Sequence, residues 1–88
     1  MLEDANMVTA TEALVQKSPN VIGGDACIRG TRIAVWMLVD AWRLGFTDDE
    51  LLNHYVVPLT HEDLAAARAY YGVNKEEIDT AILRNDEA

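Results

Sequence analysis

Cysteine is nearly absent from this chain of 88 residues: Cys27 stands alone. One thiol forms neither an internal disulfide nor an all-cysteine metal site, which excludes a disulfide-stapled scaffold and a zinc finger. Long hydrophobic runs are also missing, since none approaches the ~20 residues that cross a bilayer. The N-terminal residues carry Glu3 and Asp4 where a secretion signal needs positive charge. A soluble, cytoplasmic chain without membrane attachment is the expectation. Basic residues are scarce, seven Lys and Arg against fifteen Asp and Glu, for a net charge of −8. The imbalance is uneven. Residues 1–34 hold four acidic and three basic residues, whereas 35–88 hold eleven acidic and four basic ones. The second part repels phosphate unless its few cations cluster, and it suits a basic protein partner better.

What is present is an ordinary apolar fraction of 50%, enough for one small folded domain. A chain of this length buries roughly 60–65% of its unfolded surface, so the core is thin. A helix-start frame occurs three times: Phe46-Thr47-Asp48-Asp49-Glu50-Leu51, Leu59-Thr60-His61-Glu62-Asp63-Leu64 and Val73-Asn74-Lys75-Glu76-Glu77-Ile78. In each, a capping residue is followed three positions on by a carboxylate that reaches back, and apolar residues flank the pair as a staple. Gly45 and Gly72 precede two of these frames, where a left-handed residue ends a helix. Helices are therefore predicted over about 35–44, 48–55, 61–71 and 75–84. The first, with only Asp40 and Arg43 as polar breaks, is predicted to be central. Leu64, Ala67, Arg68 and Tyr71 form a stripe on the third, and Ile78, Ala81 and Ile82 one on the fourth.

Before Val35, turn residues separate short apolar pairs, a pattern of short strands and tight turns. One hairpin is too small to stand alone, so it must pack on the helices or pair with another chain. Residues 1–12 read as a flexible leader, 13–84 as one domain with a hairpin arm over 13–34, and 85–88 as a frayed tail. Gly23, Gly24, Gly30, Gly45 and Gly72 are expected at turns. Gly23-Gly24 lacks the spacing of a dinucleotide fingerprint.

The string Pro19-Asn20-Val21-Ile22-Gly23-Gly24-Asp25-Ala26-Cys27-Ile28-Arg29-Gly30-Thr31-Arg32-Ile33 resembles the hallmark of a small prokaryotic family, domain of unknown function 433 (DUF433). Leu44-Gly45, Leu59-Thr60 and Ala69-Tyr70-Tyr71 fit the same pattern, and the resemblance spans about residues 13–84. It implies a mainly α fold: a homeodomain-like helix-turn-helix bundle of about four helices with a short N-terminal β-hairpin arm. It also implies an antitoxin of the VapB type that masks a PIN-like ribonuclease toxin and represses its own promoter DNA. Two departures stand out. Ala34 replaces the family's usual proline, and the usual Tyr-Pro pair becomes Tyr55-Val56-Val57-Pro58.

Helix-turn-helix docking puts His61 and Arg68 near base edges, although Glu62 and Asp63 beside them repel phosphate and are better explained as capping carboxylates. Lys17, Arg29, Thr31 and Arg32 form the stronger candidate contact for nucleic acid or toxin, with Arg29 and Arg32 flanking a glycine turn and a hydroxyl. Equally, the arginines serve structure by pairing with the acidic helices. Cys27 reads as a small buried residue, and His54 and His61 lack a third metal ligand at a recognisable spacing. No cofactor, metal or catalytic residue is expected, so an enzyme is the least favoured class. One of Trp36 and Trp42 is expected in the core and the other on the surface as an interface anchor. Tyr71 is expected to fit the core better than Tyr70. A homodimer formed through the arm is the expected assembly. The competing readings are a stand-alone DNA-binding regulator and a structural interaction module.

Overall fold

The computed structural model describes residues 14–87. The proposed leader lies outside them. Two short strands, β1 (Val15–Lys17) and β2 (Ala26–Ile28), pair antiparallel with Val15 opposite Ile28 and Lys17 opposite Ala26. Four helices follow: α1 (Val35–Arg43), α2 (Asp48–Leu52), α3 (His61–Val73) and α4 (Lys75–Glu87). The mainly α architecture with an N-terminal hairpin matches the sequence expectation.

The loop joining the strands contains a 3₁₀ turn at Ile22–Gly24. Ile22 there has φ 49° and Gly23 φ 64°. Left-handed backbone is natural for glycine, but it costs a β-branched residue roughly 1–2 kcal/mol. The loop is held by Asp25, whose carboxylate accepts from the indole Nε1 of Trp36 at 3.1 Å and from Arg84 at 3.3 Å. One side chain thus ties the hairpin to α1 and α4.

Helix ends follow from local chemistry. At the end of α1, Gly45 adopts φ 99°, its N–H donates to the Trp42 carbonyl, and the Phe46 N–H donates to that of Ala41. This is the paired closure of a Schellman motif. Two of the three predicted capping boxes are formed. Thr47 Oγ1 accepts from the Glu50 N–H at 3.2 Å while the Thr47 N–H donates to Glu50 at 2.8 Å. Thr60 and Asp63 exchange the same bonds at 3.1 and 2.9 Å. Each such cap contributes about 1 kcal/mol.

The third predicted frame is corrected. The Asn74 amide turns back to donate to the Tyr70 carbonyl at 3.1 Å, so its side chain closes α3. The Glu77 carboxylate accepts from the Tyr70 hydroxyl instead of reaching back to its own helix start. Gly72 likewise lies inside α3, without a left-handed φ, and the helix runs on to Val73. Two further boundaries move: α2 ends at Leu52, short of residue 55, and α4 continues past 84 to Glu87. The Asn85 amide supports that extension by donating to the Ala81 carbonyl at 2.8 Å.

The most deeply buried large side chains are Val35 and Leu38 from α1, Leu51 from α2, Leu64 from α3 and Ile78 from α4. Helix α1 packs against α3, α4 and β2, the central position its apolar composition predicts. The hairpin contributes Val15, Ala26 and Ile28 to the same core, so helices of its own chain cover it. On α3 the buried positions are Leu64, Ala66 and Ala67, whereas Arg68 is exposed. No helix among the described residues is long and apolar enough to cross a membrane.

Candidate functional site

Strand β2 is followed by a second, tighter turn that carries Arg29 and Arg32. Its brace is explicit. The Ile28 N–H donates to the Ile33 carbonyl at 2.9 Å, and the Thr31 N–H to that of Ile28 at 3.0 Å. The Thr31 hydroxyl donates to the Ile28 carbonyl at 2.8 Å and accepts from the Ile33 N–H at 3.0 Å. Gly30, at φ 74°, supplies the left-handed residue that the turn requires. Arg29 is held further by its own N–H, which donates to the Leu14 carbonyl at 2.8 Å. The result is a rigid tip with two exposed arginines.

These arginines border an open cleft of about 720 Å³. The segment after α2 supplies a further wall with Tyr55, Val56 and Val57, and Ile33 and Met37 also line the cleft. An edge-to-face aromatic stack holds that wall: His54 lies 4.7 Å from the Tyr55 ring and 6.2 Å from that of Phe46. Buried Leu59 anchors the segment at its far end. The site is therefore amphipathic, lined by both cationic and apolar side chains.

Of the other predicted contacts, several are occupied within the chain. Lys17 lies at the far end of β1, paired with Glu77 of α4 at 3.2 Å, which raises its pKa. Arg68 donates twice to Asp48, at 3.0 and 2.7 Å, with its guanidinium 4.0 Å over the Trp42 ring. That clamp joins α1, α2 and α3 and pairs the still exposed Arg68 within the chain. The Thr31 hydroxyl spends its proton on the Ile28 carbonyl, leaving no donor for a phosphate. His61 is exposed at the first position of α3, away from the tip arginines in the chain and absent from the cleft walls.

Charge pairing separates the two arginine groups. A second hollow, about 510 Å³ and bordered by Trp42, Arg43, Arg68 and Tyr71, has both its arginines engaged. Arg43 pairs with Asp79 and donates to the Tyr71 hydroxyl at 2.8 Å. Tyr71 first, and then Arg43, hold the Asp79 carboxyl below its ordinary range. Arg84 is paired with Asp25. Among the described residues, Arg29, Arg32 and Lys75 carry no ion pair, and only the first two meet at a cleft.

The aromatic expectations also change. Both tryptophans are partly buried, and both donate their indole N–H to carboxylates: Trp36 to Asp25, and Trp42 to Asp48 at 2.8 Å. Neither is a bare surface anchor. Tyr70 and Tyr71 are equally intermediate in burial, with hydroxyls on Glu77 and Asp79. Cys27 is buried, and burial first, then Asp25, pushes its thiol pKa up, away from the thiolate a nucleophile needs.

The clamp carries a pH dependence. Arg68 holds the Asp48 carboxyl below the ordinary carboxylate range, opposed by burial and helped by Trp42. A carboxyl with its pKa depressed in the folded state contributes stability above its unfolded pKa, about 4. That contribution is lost as pH falls through the lower folded value. Asp48→Asn should therefore lower the melting temperature at pH 7, with the gap to the unsubstituted chain closing below about pH 4. Thermal melts by circular dichroism at pH 7 and at about pH 2, well below the unfolded carboxyl pKa, check this, and an unchanged gap would exclude the ion pair as its source.

A helical domain with a two-stranded hairpin, most of its few cations paired within the chain, and a cleft bordered by two arginines defines the class of this molecule. The model of a family described as a protein of unknown function, DUF433, matches residues 15–71, and the chain belongs to that family. A crystal structure of a DUF433 member from Anabaena variabilis is similar, with a TM-score of 0.78 and 46% sequence identity. The match covers 92% of this chain and 79% of that one. No curated protein matches.

Proposed function

We propose that this chain is an antitoxin that binds a PIN-like ribonuclease and covers its acidic, metal-dependent centre with Arg29 and Arg32. The observation that carries this reading is the arginine pair on a braced turn beside an open cleft, without an ion pair among the described residues, while four other cations are paired internally. Guanidinium groups meet carboxylates with two parallel hydrogen bonds, which suits them to a cluster of acidic side chains. Inserting them there excludes both the metal and the RNA by occupancy.

A protein partner fits better than DNA. Helix α3 begins with His61, Glu62 and Asp63, and its one arginine is committed to Asp48. Docking its N-terminus against phosphates sets carboxylates against like charge, within a body of net charge −8. Promoter repression would then fall to the antitoxin–nuclease complex.

The test is co-expression of this chain with the product of the adjacent gene, followed by cleavage of single-stranded RNA with and without the chain. A stable complex with silenced cleavage is expected. Unimpaired cleavage without a complex would overturn the proposal. Light scattering on the isolated chain reads the proposed homodimer.

A further inference from the structure

The segment Val56-Val57, which stands out in the sequence only as a lengthened turn, contributes neither side chain to the core formed by the described residues. Val56 is fully exposed and Val57 about half exposed, whereas their neighbour Leu59 is buried. Isolated exposed aliphatics need no explanation, but these two line the cleft that Arg29 and Arg32 border. The residues just before them in the chain, His54 and Tyr55, are braced by the aromatic stack with Phe46.

We propose that Val56 and Val57 form an apolar lip that selects the partner segment. The cleft takes a protein segment in which an aliphatic or aromatic side chain is flanked by carboxylates. Charge complementarity identifies that occupant: two unpaired guanidiniums among the described residues demand acidic groups, within a side chain's reach of an apolar wall. A volume of about 720 Å³ accommodates a large side chain together with its neighbours. Nucleic acid fits less well, because its phosphates satisfy the arginines but leave the valines against a polar backbone. The inference rests on the same cleft as the antitoxin reading and adds the apolar half of its specificity.

The test is an NMR titration of the full ¹⁵N-labelled chain with three capped hexapeptides. They are Glu-Asp-Leu-Phe-Asp-Glu, its analogue with Ser-Ser at the centre, and Lys-Lys-Leu-Phe-Lys-Lys. The first should give saturable shifts at the 29–32 turn and at Tyr55 and Val57. The serine analogue should bind at least tenfold more weakly, and so should the first peptide to a V56S/V57S double variant. Both valines are exposed, so that variant folds, as its circular dichroism melt will report. Absence of shifts at the turn would overturn the proposal. So would equal binding of the lysine peptide, or an affinity unaffected by V56S/V57S. Neutralisation of the nuclease without peptide binding defeats this inference alone; peptide binding without neutralisation defeats the antitoxin reading alone.

Discussion

Replacing Arg29 and Arg32 together by glutamate should weaken nuclease binding by at least a hundredfold and abolish neutralisation. Arginine at the desolvated centre of an interface is a frequent hot spot, with truncation costing about 2 kcal/mol or more. Two such losses amount to about three decades of affinity, since each 1.4 kcal/mol is tenfold. Reversal adds like-charge repulsion against the partner's carboxylates. Both side chains are exposed, and neither forms an ion pair among the described residues, so the fold loses little. Lys75→Glu, set beside each single Arg→Glu variant, is the charge control: it reverses one cation that lies outside the cleft and carries no ion pair among the described residues. Isothermal titration against the purified nuclease should separate the arginine variants from this control. Comparable losses in all of them would reduce the effect to net charge and discard the arginine tip as the contact.

The second large effect concerns stability. Leu38 is fully buried on the helix that touches α3, α4 and β2. Leu38→Ala should cost about 2–5 kcal/mol, the removed methyl groups plus the cavity they leave. A domain this small has roughly 0.05–0.15 kcal/mol of net stability per residue, so the loss is a large share of the total. With a urea dependence of about 1.5 kcal/mol per molar, the midpoint should fall by roughly 2 M. Leu83→Ala, at a position 58% exposed on α4, should stay within about 0.5 kcal/mol of the parent. A fall below 1 kcal/mol for Leu38→Ala would contradict the central role of α1.

Local chemistry made most of the fold readable. Thr47 with Glu50 and Thr60 with Asp63 close boxes over three residues, and Gly45 ends α1 by its own backbone freedom. Asn74 misleads because a capping amide has two possible clients, and the Tyr70 carbonyl, one turn earlier, takes it. Gly72 misleads because nothing forces it left-handed once Asn74 closes the helix two residues later.

The site was legible on one wall only. Arg29 and Arg32 flank a glycine turn in the sequence, and the cleft borders both. Lys17 and Arg68 looked equally free, because the carboxylates that occupy them, Glu77 and Asp48, lie far away along the chain. The tryptophan partners Asp25 and Asp48 are nearer in the chain but lie across turns, where no helical period links them. Tyr55, Val56 and Val57 sit in a loop, where apolar residues follow no period that marks a face.

The brace around Thr31 has an entropic consequence. A recognition loop that orders only on contact surrenders about 1–2 kcal/mol of backbone freedom per residue at that moment. Between Ile28 and Ile33 that freedom is already gone, spent when the turn closed. Docking then freezes only the two arginine side chains, about 0.5–1.5 kcal/mol each. Association should accordingly show the heat-capacity change of the contact surface alone, without the larger signature of coupled folding.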